Sequence, residues 1–210
     1  MSLVDLPDLE SLLGYLPAAA HLHVWGDPAA SQPEREAIHL AQALTGRFPK
    51  LSYQSRPRRA NYDYYPVIGV MGDDEGRPVD GGLRLIGCPV GYQITSLVGA
   101  IQAVVFRGSQ LEGRTRIQLS RLKTAVNVEV ITAAEDDVGP LVATMAFNMA
   151  AASLHVRSYL IMGDQFPQAL TRYSVQRLPH TVLNGRVHVV GLVDEEAMMR
   201  QVARAVKSDE

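Results

Sequence analysis

Asn127-Val128-Glu129-Val130-Ile131-Thr132-Ala133-Ala134-Glu135-Asp136-Asp137-Val138-Gly139-Pro140-Leu141 reads as three pieces in succession. Residues 127–132 have the alternation and β-branched content of a buried strand. Residues 133–137 form a short loop rich in acid. The chain then turns apolar, and residues 137–153 read as a helix that contains no basic residue. A strand–loop–helix corner of this kind is a place where chemistry can sit, because the first turn of a helix favours negative charge.

Outward from this corner the elements follow a repeated order. Before it come a strand at 21–25, a helix at 34–44 with Ala37, Ile38, Ala41 and Leu44 at helical spacing, and a strand at 51–55. An irregular arginine- and tyrosine-rich stretch, 56–65, leads into a strand opened by Pro66, a position where the lost donor is tolerated. Residues 72–82 hold four glycines and three aspartates and read as a hairpin turn or short loop. A returning strand at 83–86 and a long helix at 92–106 close the first series. After the corner come a strand at 156–162, a short helix at 166–173, and a strand at 180–183 opened by Pro179. Asn184-Gly185 is a hairpin signal, 186–190 the returning strand, and Asp194 caps a last helix. The polar, basic stretch 107–124 reads as a linker with one helix. The expected division is therefore 1–110 and 111–210, each half a mixed sheet with helices on both faces.

Bulk properties narrow the function classes. At 210 residues the chain suits two compact units, and 47% hydrophobic with 20% charged residues describes a globular protein. A net charge of −2 gives no reason to expect nucleic acid or an anionic membrane as partner. Leu3, Leu6, Leu9, Leu12 and Leu13 suit an amphipathic first helix rather than a signal peptide, and no apolar run is long enough to span a bilayer. The single cysteine excludes an internal disulfide, so the cytoplasm is the expected compartment.

Two motifs carry a resemblance. Gly87-Cys88-Pro89-Val90-Gly91-Tyr92-Gln93-Ile94-Thr95-Ser96-Leu97-Val98 is similar to a Gly-x-Pro-x-Gly-His-Glu-Phe-Thr-Ser-Leu stretch. Val175-Gln176-Arg177-Leu178-Pro179-His180-Thr181-Val182-Leu183-Asn184-Gly185 is similar to Val-x-x-Val-Pro-x-x-x-x-Asn-Gly. Both belong to the tandem thioredoxin-fold N-terminal region of the alkyl hydroperoxide reductase F subunit, which this chain resembles, and more distantly to glutaredoxin-like protein disulfide oxidoreductases. The resemblance implies two fused thioredoxin-like α/β domains, with Pro179 a cis-proline facing the corner and Pro66 its counterpart. It also implies a Cys-x-x-Cys at the corner, where this sequence has Asp136 and Gly139.

Thiol–disulfide exchange needs an attacking thiolate and a resolving thiol. Without them no catalytic residue is expected at the corner, and Asp136 or Asp137 reads as a helix cap rather than a cation ligand. Restoring both cysteines, at 136 and 139, is expected to give a pair able to close a disulfide. The histidines show no metal-ligand spacing, and no serine–histidine–acid order can be supported. No Gly-x-Gly-x-x-Gly follows a strand, so no nucleotide cofactor is expected.

Two functions of different class follow. The preferred one is a non-catalytic module that binds a protein or peptide in the groove beside Pro179, with Asp136, Asp137, Leu178 and His180 lining it. The alternative is a redox component of disulfide or peroxide metabolism that uses Cys88 as a single thiol. The uncharged helix from Leu141 to Leu154 is expected either to be covered by the 111–122 linker or to form a homodimer or partner surface centred on Phe147.

Overall fold

The structure, a computed structural model, describes residues 9–207. The leading helix is α1, Leu9–Leu13; its expected positions Leu3 and Leu6 lie outside the described residues. There follow β1 (Ala20–Trp25), α2 (Gln32–Arg47), β2 (Leu51–Arg56), β3 (Val67–Asp74), β4 (Arg77–Ile86) and α3 (Gln93–Val105). A short helix α4 (Gly113–Ser120) precedes β5 (Val126–Thr132), α5 (Gly139–Ala152), β6 (Val156–Met162), α6 (Pro167–Arg172), β7 (His180–Leu183), β8 (Val187–Val190) and α7 (Glu195–Lys207).

The strands form one eight-stranded sheet in the order β2-β1-β3-β4-β6-β5-β7-β8. The two halves of that order are the same arrangement repeated: a parallel β-α-β pair, then an antiparallel hairpin. β4 of the first half pairs in parallel with β6 of the second, Leu83 with Ser158 through Ile86 with Ile161. Backbone hydrogen bonds thus run unbroken across the middle of the sheet.

Alternation along the strands builds two cores. One face, carrying Leu22, Val24, Leu83, Leu85, Val128, Val130 and Leu160, packs under α2, α3, α5 and α7. The other, carrying Trp25, Val67, Ile86, Ile131, Ile161 and Val182, packs against Ala169 of α6 and a group of tyrosines. Helices cover both faces only in the second half. In the first, the tyrosine-rich stretch takes the place of a helix: Tyr62, Tyr64 and Tyr65 lie against the smaller core. Gly69 is needed there, since a Cβ on it would stand 2.6 Å from the Trp25 ring.

Of the two expectations for the glycine- and aspartate-rich stretch, the hairpin turn is the one the structure shows, and the strands extend well into it. β3 runs to Asp74 and β4 starts at Arg77, leaving only Glu75 and Gly76 at the tip. Both have positive φ, 48° and 83°, which matches the twist of a two-residue hairpin. Asp73 pairs with Pro78 in the hairpin, and its carboxylate accepts from the Gly76 N–H and lies 2.8 Å from His21 Nε2.

Candidate functional site

β5 ends at Thr132 and α5 begins at Gly139, and Asp136 ties these two ends together. Its Oδ1 accepts the N–H groups of Val138 and Gly139 at 3.1 and 3.0 Å, and its Oδ2 accepts the Thr132 hydroxyl at 2.8 Å. Orphan amides at a helix start need acceptors, and a carboxylate there also meets the positive end of the helix dipole. Capping therefore falls to Asp136, while Asp137 is exposed.

The first half holds this loop in place. Gln93, fully buried at the start of α3, donates from Nε2 to the carbonyls of Ala133 (3.0 Å) and Asp136 (2.9 Å). Its Oε1 accepts the hydroxyl of Ser96 at 2.7 Å, itself buried. The Tyr92 N–H donates to the Ala134 carbonyl at 2.9 Å. Gly91, at φ 58°, permits that approach, for a Cβ on it would stand 2.3 Å from the same oxygen. None of these contacts is visible in the sequence; Gln93 could be singled out only as a polar residue within the motif 87–98.

Gly139 closes the arrangement. A Cβ added to it would lie 2.2 Å from Thr132 Oγ1, 2.9 Å from Gln93 Nε2 and 3.1 Å from Asp136 Oδ2. Cysteines at 136 and 139, expected to pair, would meet the Thr132 and Gln93 side chains in the space a second sulfur needs.

Leu178–Pro179 and Tyr65–Pro66 are both cis peptide bonds. β7 runs antiparallel to β5 with His180 opposite Ile131, so one step further the register brings Pro179 opposite Thr132. Strand alternation then turns His180 away from Pro179, to the face that also carries Ile131 and Val182. The expected place of His180 in the groove is therefore corrected: it is buried on the other face, its Nε2 2.8 Å from Nδ1 of His188. Burial and the neighbouring His188 lower its pKa. Leu178 is half-buried, and its peptide N–H and C=O make no hydrogen bond to a described residue. Pro179 thus lies beside Thr132 and the Asp136 that binds it, whereas the Leu178 side chain packs on the opposite face against the smaller core, as His180 faces it, and Asp137 is exposed.

The first-half counterpart of the corner is also built on a carboxylate. Glu34, fully buried, accepts from the Asp27 N–H, the Ser31 hydroxyl and Arg58. Burial alone would raise its pKa, but these donors outweigh it and hold the carboxyl below its ordinary value.

Cys88 does not serve as an accessible thiol. It is 3% exposed within the larger core, and its peptide N–H and C=O are both held by the Gln165 side chain, at 2.9 and 2.7 Å. Burial pushes its pKa up to about 12, with the charge of Glu36 adding to the effect. The reading of Cys88 as an exchanging thiol is therefore corrected, since a thiol in this state offers almost no thiolate.

The uncharged helix is likewise explained within the chain. Phe147 is fully buried, and α3 lies so close to α5 that a Cβ on Gly99 would stand 2.3 Å from Thr144 Oγ1. α4 packs beside them. A homodimer or partner surface centred on Phe147 is thus not available, and only the ends of the segment, Leu141 and Leu154, are exposed, at 58% and 94%.

One grouping was not legible in the sequence. His21 is held between Ser52 Oγ (2.7 Å from Nδ1) and Asp73 Oδ1 (2.8 Å from Nε2), across three neighbouring strands. No group of three or more His, Cys, Asp or Glu that could hold a metal ion occurs among the described residues, and no described helix is long and apolar enough to cross a membrane.

Fold and corner together define a tandem thioredoxin-like protein with Asp136 and Gly139 at the second half's strand–helix corner. Its sequence is related to the F subunit of alkyl hydroperoxide reductase in Pseudomonas aeruginosa, at 24% identity over 173 residues, covering 82% of this chain and 32% of that protein. The chain thus spans about a third of that relative's length. No family model matches it. Its fold is similar to the N-terminal domain of alkylhydroperoxide reductase AhpF from Enterococcus faecalis, with TM-score 0.84 and 16% identity, covering 93% of this chain and 96% of that one. It is equally similar to a protein disulfide oxidoreductase from Aeropyrum pernix, with TM-score 0.84 and 20% identity, covering 96% and 91%.

Proposed function

We propose that this chain is a non-catalytic binding module of the cytoplasm, which receives an extended segment of a protein partner in the groove beside Pro179. The observation that carries this reading is the filled corner. Asp136, Thr132 and Gln93 take the space of a dithiol, and the one cysteine is buried elsewhere. What is left at the corner is a recognition surface. The Leu178 peptide, which makes no hydrogen bond to a described residue, offers its donor and acceptor to an extended backbone, as in strand addition. Tyr92 and Leu141, 44% and 58% exposed on either side of the loop, supply apolar contact.

Selection of peptides from a displayed library on the immobilised protein tests the binding role. Selected peptides should lose affinity at least about tenfold on Leu141→Glu, as expected when a contact at the centre of a small interface is replaced by a charge. The protein should not speed insulin reduction by dithiothreitol. Turnover above background that Cys88→Ser abolishes would return the chain to the redox class.

A further inference from the structure

On the sheet face opposite α3 and α5, the two halves leave a cleft of about 560 Å³, a size typical of small-molecule sites. Its floor is the back of β4, β6 and β5, with Arg84, Arg157, Tyr159 and Glu129. One wall is the segment 59–64 of the first half, and the other is the end of α6 with Arg172 and Tyr173. Two contacts tie the walls together: Arg172 pairs with Asp63 at 2.9 Å, and the Tyr64 ring stacks on Phe166 at 4.9 Å. The shared sheet and these bridges fix both walls before any ligand arrives.

The polar groups of the cleft are unevenly matched. Each carboxylate already has a donor: Asp80 has Arg84, Asp63 has Arg172, and Glu129 has the Tyr173 hydroxyl at 2.7 Å. Arg157 has no carboxylate within ion-pair distance among the described residues, although it is exposed on the floor. The half-buried Tyr159 hydroxyl likewise donates to no described residue. Burial raises the pKa of that phenol, so it stays a donor. Spare donors therefore outnumber spare acceptors on the floor, and tyrosine rings form the sides.

We propose that this cleft binds a small planar anion, a flat ring bearing a carboxylate or phosphate, with the charge on Arg157 and Tyr159 and the ring against the wall tyrosines. The site lies on the opposite face from the Pro179 groove and does not depend on the binding role proposed there.

Calorimetric titration of the full chain tests it, with 4-hydroxybenzoate and adenosine 5′-monophosphate as the ring anions. Methyl 4-hydroxybenzoate, adenosine and inorganic phosphate separate ring from charge. Trp25, the single tryptophan, lies 5.2 Å from the Arg84 guanidinium and 5.8 Å from the Tyr62 ring, so its emission reports locally. At least one ring anion should bind saturably, with its uncharged counterpart at least about tenfold weaker, the scale of a charge-assisted hydrogen bond. Arg157→Gln should weaken binding by about tenfold or more, and Tyr159→Phe by about three- to tenfold. Arg116→Gln, the same charge change on exposed α4, should leave it unaltered. No saturable heat from either ring anion at about 10 mM, far above any useful affinity, would overturn the proposal. So would equal binding of charged and uncharged partners, inorganic phosphate binding as tightly as the nucleotide that binds, or undiminished binding in both floor variants.

Discussion

The Thr132 hydroxyl donates to Asp136 Oδ2 at 2.8 Å, joining the last residue of β5 to the carboxylate that caps α5. A buried strand end and a helix start are thereby fixed to each other through one acidic side chain. Asp136→Ala removes the acceptor for two amides and one hydroxyl, so it should cost about 1–2 kcal/mol of stability, in the upper range of cap losses. Asp136→Asn keeps an oxygen for the amides and should cost roughly half that. Urea unfolding of the three proteins measures this; an alanine variant as stable as the parent would remove Asp136 from the role of cap.

Cys88 should be silent in the native state. Ellman's reagent should label it only at the rate at which the chain opens, and at once in denaturant. A folded pKa raised to about 12 from an ordinary 9.0 also has a stability consequence. The unfolded thiol ionises first, so the contribution of Cys88 is complete below about pH 9 and is lost as pH rises towards about 12. Cys88→Ala should flatten that part of the alkaline stability profile.

Much of the fold was legible because its signals are local. Pro66 and Pro179 each open a strand, Asn184-Gly185 makes the hairpin, and apolar spacing marks α2 and α7. The corner was legible for the same reason. What fills it was not, because Gln93 reaches Asp136 from 43 positions away. The charge-free helix misleads for a related reason: periodicity shows that a face is apolar, but not that α3 of the other half covers it. His180 is different, since strand alternation from Pro179 is itself a sequence signal that turns it to the opposite face.

Acid should weaken the fold in two separate windows. His23 and His180 both lie below the ordinary histidine value, burial being the largest cause in each, with Arg56 and His21 adding for His23 and His188 for His180. A histidine with a depressed folded pKa binds fewer protons folded than unfolded, so stability falls as pH drops below about 6.5. Glu34, Asp73 and Asp80 have lowered pKa values as well, and their contribution begins to fade only below about pH 4.5. The urea midpoint should therefore decline from about pH 7 to about pH 5, and His180→Leu should reduce that decline. A midpoint independent of pH over this range would contradict the assignment.

The two halves should unfold together. β4 and β6 pair along the middle of the sheet, and Gln93 and Tyr92 bind the second half's loop from the first. Separating the halves would expose that backbone ladder and leave the Gln93 Nε2 donor without its two carbonyls. Trp25 emission reports the first half, and far-ultraviolet circular dichroism reports the whole chain. The two signals should give coincident urea transitions. Separated midpoints would show that the halves are independent units despite the continuous sheet.

Rebuilding the dithiol should fail for a stated reason. In Asp136→Cys with Gly139→Cys, the new Cβ at 139 would start 2.2 Å from Thr132 Oγ1 and 2.9 Å from Gln93 Nε2. The hydroxyl is one bond from a buried, β-branched Cβ, so it moves only by taking another rotamer inside the core. Thr132 would also have lost the carboxylate that accepts its proton, leaving a buried hydroxyl unpaired at about 1–3 kcal/mol. The double variant should thus be destabilised and should oxidise poorly under an oxidant such as diamide, as thiol counting before and after treatment would show. Adding Thr132→Ala removes the obstructing oxygen and the unpaired donor together, and should restore both stability and disulfide closure. If the double variant closes its disulfide as readily as the triple, the crowding of Gly139 by Thr132 is not what keeps a second sulfur out.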